Sequence, residues 1–125
     1  MIAETYKYRL WIGDRNGISL EWENERVWCE IGGPDGPGGP DGMAFHSDGS
    51  LFVAVYGTGE IRVVDQNGRV SNKIALPARN PTNCAFDPPG KLGLIVTEAE
   101  TGALLRIDMT NHITLKYEDH EHRSV

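Results

Sequence analysis

The chain has 125 residues, 39% of them hydrophobic, with 15 Gly and 7 Pro, which suits one globular domain and excludes collagen-like and intrinsically disordered chains. Eighteen acids against 12 bases give a net charge of −6, which repels a phosphate backbone and argues against nucleic acid as a partner. The longest apolar runs are strand-sized, far below the ~20 residues of a membrane helix, and the first ten residues carry Glu4, Lys7 and Arg9 in place of an apolar leader, so the expectation is a cytoplasmic protein with no membrane partner.

In chain order, short β-rich runs recur and no long helical periodicity appears. Strands are expected over 2–6, 8–12 and 26–31, with a turn at Asn16-Gly17 between the second and third. A glycine-rich segment, 32–39, leads to strands over 42–45, 51–56, 60–65 and 70–76, punctuated by Asp48-Gly49 and Asn67-Gly68. Strands over 82–86, 94–98, 103–108 and 112–116 follow, with Pro89-Gly90 after the first of them. The gaps are too short for helices, so the eleven strands connect as antiparallel meanders.

The meander repeats. Pro40-Asp41-Gly42-Met43-Ala44-Phe45 returns 41 residues later as Pro81-Thr82-Asn83-Cys84-Ala85-Phe86, and the run from Gly59 to Asp65 returns 43 residues later as Gly102 to Asp108. An incomplete copy lies at the front, where Ile2-Ala3-Glu4-Thr5 matches Val96-Thr97-Glu98-Ala99 and Leu10 to Asp14 matches Leu104 to Asp108, both 94 residues apart. Four strands per repeat of this length is the signature of a propeller blade, whose sheet cannot cover both its own faces. The fold class is therefore all-β: a β-propeller fragment of about two and three-quarter four-stranded antiparallel blades out of six. Residues 1–125 form a single partial domain, with an incomplete blade over 1–31, blades over 40–77 and 81–117, and a tail over 118–125.

Within this frame, Asp41 opens an innermost strand, where a charged oxygen suits a hard cation and a carboxylate can take a proton from water; the competing reading is an Asx turn between Pro40 and Gly42. Pro34-Asp35-Gly36 lacks the following strand and reads as loop. Asn83 stands one residue beyond the counterpart of Asp41, so it either touches a substrate in the channel or caps its strand. Tyr56 and Glu98 end second strands, near the channel rim or simply in solvent. Asp14, Asp65 and Asp108 recur at hairpin turns, a folding signal. Cys29 and Cys84 lack metal-ligand spacing and read as buried thiols, and His46 has no Ser and Asp at triad-like spacing. Trp11, Trp22 and Trp28 are expected to pack between blades, with Trp22, in the Glu-rich turn 21–25, the candidate for exposure. The tail Glu118-Asp119-His120-Glu121-His122 has groups that bind transition metals but reads as a frayed terminus.

Ala3-Glu4-Thr5-Tyr6 with Arg9-Leu10-Trp11, then Gly39-Pro40-Asp41-Gly42-Met43, then Asn80-Pro81-Thr82-Asn83-Cys84-Ala85-Phe86, in that order and spacing, resemble the C-terminal half of the gluconolactonase / senescence marker protein-30 / regucalcin family over 2–109. The resemblance implies a six-bladed propeller that hydrolyses the ester bond of gluconolactone-like sugar lactones, with one divalent cation, calcium or zinc, in the central channel. In that family a Glu, an Asn and the Asp of Pro-Asp-Gly-Met hold the cation. Only the last maps here, onto Asp41, as metal ligand and catalytic carboxylate; the Asn-bearing strand is expected just before Met1. Two copies would supply 22 of the 24 strands of such a ring, so a homo-oligomer that completes the propeller is the expected assembly. The functional expectation is a truncated lactone hydrolase, and its alternative a non-catalytic propeller fragment acting as an interaction and assembly module.

Overall fold

The structure is a computed structural model and describes residues 1–18, 21–88, 91–109 and the strand 113–117. The turn expected at Pro89-Gly90, the strand start at His112 and the charged tail from Glu118 lie outside the described residues. Among the described residues there are eleven strands: β1 (Ile2–Glu4), β2 (Arg9–Arg15), β3 (Trp22–Glu30), β4 (Gly39–Phe45), β5 (Leu51–Tyr56), β6 (Glu60–Val64), β7 (Val70–Ala75), β8 (Pro81–Phe86), β9 (Leu94–Glu98), β10 (Ala103–Asp108) and β11 (Ile113–Tyr117). A 3₁₀ turn, Thr5–Lys7, ends the first run early and leaves Tyr8 in a left-handed conformation.

The strands form three antiparallel sheets in sequence order. Sheet 1 is β1-β2-β3, sheet 2 is β4-β5-β6-β7 and sheet 3 is β8-β9-β10-β11. Sheet 2 lies between the others, and this explains the sequence of β5. Its run Leu51-Phe52-Val53-Ala54-Val55 does not alternate apolar with polar because both faces are buried: Leu51, Val53 and Val55 join Leu10, Cys29 and Ile31 on the sheet 1 side, while Phe52 and Ala54 join Cys84, Leu94, Val96, Leu105 and Ile107 on the sheet 3 side. Burying each Val, Leu or Ile of these two clusters contributes about 1.5–3 kcal/mol. Arg62 of β6, also buried, ties sheet 2 to the segment leaving sheet 1: its Nη1 donates to the Ile31 carbonyl at 2.8 Å while Nε and Nη2 hold Glu60 at 3.0 and 2.8 Å.

Turn chemistry follows the sequence in most places. Gly49 and Gly68 adopt the left-handed region at φ 91° and 77°, and Asp65 Oδ1 accepts from the N–H groups of Asn67 and Arg69 at 2.8 and 3.1 Å. Asn16-Gly17 works differently. Gly17 is outside the left-handed region, and Asn16 Oδ1 shapes the turn by accepting the Ile18 N–H at 2.8 Å. The tryptophans also divide otherwise than expected: Trp28 packs into the contact between sheets 1 and 2, but Trp11 lies on the opposite face of sheet 1, its Nε1 donating to Glu4 Oε1 at 3.0 Å. Strand alternation is the reason, since Leu10 points into the core and its neighbour must point away.

Candidate functional site

Asp41 and Asn83 lie on β4 and β8, the first strands of sheets 2 and 3, which pack beside each other. Both strands are irregular at their start. The ladder with β5 slips between Pro40 and Met43, and that with β9 between Pro81 and Asn83, so a bulge falls at Asp41-Gly42 and again at Thr82. Bulges re-aim side chains, and here the repeated Pro-x-x sequence re-aims one in each sheet at the same level.

The approach to Asp41 is narrow. Gly38 and Gly39 thread between the Thr5 and Tyr56 carbonyls, where a methyl group on either would collide with backbone. Thr5 Oγ1 then fixes the strand entry by donating to the Pro40 carbonyl at 2.9 Å, and Tyr8 Oη holds the preceding loop by donating to the Pro34 carbonyl at 3.0 Å. Gly42 serves a second need. A methyl group there would run into the amide and Cα of Asn83, so the absence of a side chain lets Asn83 lie directly against the residue that follows Asp41. The two residues singled out from the sequence are thus brought together by a glycine.

Both side chains are exposed to solvent. Even so, partial burial pushes the Asp41 carboxyl up from its ordinary value, and no described residue donates a hydrogen bond to it or pairs with it. Asn83 is half committed: its Oδ1 accepts the Cys84 N–H at 2.8 Å, which leaves Nδ2, two donors and no acceptor, facing outward. Beside it, the hydroxyls of Thr82 and Thr97 share a hydrogen bond at 2.7 Å. Thr82 occupies the repeat position of Asp41. The sequence held that signal, since Pro-Asp-Gly and Pro-Thr-Asn align without a gap, but a threonine in register with a carboxylate draws no notice until both are seen on adjacent strands.

Glu98 proved to be a structural clasp. It is only 3% exposed. Its Oε2 accepts from the N–H groups of Asn80 and Glu100 at 2.8 and 3.0 Å, and its Oε1 from the Thr101 N–H and hydroxyl at 2.7 and 2.8 Å. Burial works to raise its pKa, but these donors outweigh it and hold the carboxyl below its ordinary value. Glu4, its counterpart in sheet 1, instead takes Arg9 Nε and Trp11 Nε1 at 2.6 and 3.0 Å. Tyr56 is half-buried and its carbonyl crowds Gly38.

His46 sits at the far end of β4, away from Asp41. Its ring lies against Phe52 and Phe86, with centroids 5.9 and 5.2 Å away, and Nδ1 accepts the Asp48 N–H at 3.1 Å. A cavity of about 480 Å³ opens there, lined by residues that include His46, Phe86 and Met109, so its space is not the space beside Asp41. Cys29 and Cys84 are free and buried; burial pushes the Cys84 thiol up to about 12.

Among the described residues no three His, Cys, Asp or Glu side chains gather at a point that would hold a metal ion. Calcium takes six to eight oxygens and zinc four ligands. Asp41 supplies one, and the Asn83 oxygen is turned to its own backbone. The chain's donors therefore fit as one part of a cation site and not as a whole one.

Residues 1–100 match the SMP-30/Gluconolactonase/LRE-like region family. The chain is 36% identical over 109 residues to diisopropyl-fluorophosphatase of Loligo vulgaris, covering 86% of this chain and 34% of that one. It is 36% identical over 64 residues to regucalcin of Xenopus laevis, covering 50% and 21%. The solved structure of a luciferin-regenerating enzyme superposes with a TM-score of 0.68 at 28% identity, over 78% of this chain and 32% of that one. The fold is thus of the β-propeller kind, and the chain spans about a third of the length of these relatives or less.

Proposed function

The chain belongs to the SMP-30/gluconolactonase/LRE-like family, a propeller family of the lactonase and hydrolase type, and from that premise we propose that it contributes the Asp41 part of a site for divalent-cation-dependent hydrolysis of sugar lactones. The observation that carries this reading is the state of Asp41. A carboxylate near the start of the first strand of its sheet, partly desolvated and with no donor among the described residues, is poised for a cation or for a proton in transit. Calcium or zinc is the cation the reading requires, with Asp41 as one ligand and the rest drawn from beyond this set.

The chain's own residues have two tasks. Asp41 accepts the proton of the water that attacks the lactone carbonyl, a role that needs its carboxylate ionised. Asn83 Nδ2 donates to a ring or hydroxyl oxygen of the sugar and orients it. The relatives' names include a fluorophosphatase, so a phosphorus ester is a competing substrate for the same carboxylate.

The test is hydrolysis of gluconolactone, followed by acid release, together with calorimetric titration of calcium and zinc. Asp41→Asn should reduce turnover by about 100-fold or more and weaken cation binding while the chain stays folded. Protons compete with the cation for Asp41, so activity should fall on acidification and the acid limb should move to lower pH as calcium or zinc is raised. An Asp41→Asn chain with undiminished turnover would sink the assignment. The exposed apolar outer faces of the arc favour a second reading, a non-catalytic assembly module.

A further inference from the structure

At the end of β4 opposite Asp41, sheets 2 and 3 part around a cavity of about 480 Å³, and a second of about 320 Å³ shares His46 and Met109 with it. His46 follows β4 of sheet 2, while Phe86 ends β8 and Met109 follows β10 of sheet 3, so the space lies in a contact that the chain forms within itself. Its volume falls in the roughly 300–1,000 Å³ range of small-molecule sites. The wall is aromatic. The His46 and Phe52 rings stack at 5.9 Å and 30°, and Phe86 stands nearly perpendicular to both, its centroid 5.2 Å from His46 and 5.1 Å from Phe52. His46 Nδ1 accepts the Asp48 N–H, so the ring proton sits on Nε2 and the ring carries no charge of its own in this arrangement.

Charge enters this wall as carboxylate. Asp87 lines the larger cavity and Asp48 the smaller, and among the described residues no Lys or Arg lines either. Asp87 Oδ2 accepts the Leu92 N–H at 2.9 Å, and Oδ1 has no donor among the described residues. Asp48 Oδ1 accepts the Ser50 N–H at 2.8 Å, and hydrogen bonds from Ser50 hold this carboxyl below its ordinary value, so it is ionised at neutral pH. An anion would face two carboxylates. A metal ion would lack ligands, since among the described residues no three His, Cys, Asp or Glu side chains gather to hold one. We propose that this cavity between sheets 2 and 3 binds a small organic ammonium ion, its alkyl groups against His46, Phe86 and Met109 and its charge balanced by Asp87 and Asp48.

Aromatic faces carry partial negative charge and hold alkylated ammonium ions, whose charge is spread over their methyl groups and gives up water easily. Met109 adds a polarisable thioether beside the rings. The net charge of −6 draws cations to the chain at long range. None of this uses Asp41, so the ammonium site stands or falls apart from lactone hydrolysis.

Proton NMR of the 125-residue chain tests this, following the His46 imidazole resonances during titration with tetramethylammonium chloride and, separately, with tert-butanol, a ligand of similar shape and no charge; sodium chloride at matched concentration is the reference. The expected result is a saturable shift with the ammonium ion and binding at least about tenfold weaker with the alcohol. Asp87→Asn, which keeps an oxygen for the Leu92 N–H, and Phe86→Leu, which removes an aromatic wall, should each weaken binding about three- to tenfold with far-UV circular dichroism unchanged. Should Phe86→Leu fail to fold, Asp87→Asn decides alone. Absence of a saturable shift overturns the proposal, as does undiminished binding by either folded variant. Equal affinity for tert-butanol reduces the cavity to an apolar pocket and overturns it too. Displacement of tetramethylammonium by an equal concentration of calcium would mean that the carboxylates alone attract the cation, with the same consequence.

Discussion

Replacing Glu98 with Gln changes almost no volume, yet it should cost more stability than most surface truncations. Four donors converge on the carboxylate: the N–H groups of Asn80 and Glu100 on Oε2, and the Thr101 N–H and hydroxyl on Oε1. An amide has one acceptor oxygen. Whichever way it is turned, its NH₂ meets at least one backbone N–H that can only donate. Hydrogen bonds to a charged group contribute about 1.5–3 kcal/mol each and are not additive within one cluster, so losing two and weakening two should cost about 2–4 kcal/mol near neutral pH. For a chain of this size that lowers Tm by roughly 10 °C. Thermal unfolding followed by tryptophan fluorescence measures it. The folded-state pKa lies below the ordinary Glu value of 4.5, so the clasp's stabilisation is complete above that value and lost as pH falls through the folded one. The gap between wild type and Glu98→Gln should therefore close on acidification. A variant within 1 °C of wild type at pH 7, or a gap that persists in acid, would refute the clasp.

Gly42→Ala should destabilise by about 1–3 kcal/mol through collision with Asn83, and truncating Asn83 to Ala in the same chain should recover part of that loss; simple additivity in the double variant would show that the two do not touch. Leu105→Ala, in the contact between sheets 2 and 3, should cost about 2–5 kcal/mol in urea titration. At about pH 8 an alkylating reagent should modify Cys84 only as fast as the chain unfolds, because a buried thiol pushed up to about 12 is almost never ionised; rapid stoichiometric labelling would contradict its burial.

Much of the architecture is written in local chemistry. Strands are short apolar runs between turn residues, so β5 and β9 emerge at Leu51–Tyr56 and Leu94–Glu98, where the sequence predicts them. The repeat aligns Pro40 with Pro81 and Gly59 with Gly102, and it orders the strands before any coordinates exist, because a meander pairs neighbours. Asp41 and Asn83 could likewise be chosen from one dimension, since repeat position marks which strand each opens.

What each side chain meets was decided only by the tertiary structure. Glu98 ends a strand in sequence just as a solvated residue would; two of its backbone donors lie in the turn that follows it, and the third, Asn80, reaches it only because β8 pairs with β9. Gly42 is one of 15 glycines, and its role appears only because β8 passes close enough for Asn83 to fill the space a side chain would occupy. Trp11 faces outward because pleating fixes it opposite to Leu10, a parity that sequence supplies only once the buried face is known. The sequence thus determined strands, order and repeat, which depend on neighbours along the chain. The contacts between sheets depend on residues tens of positions apart and exist only once the sheets stack.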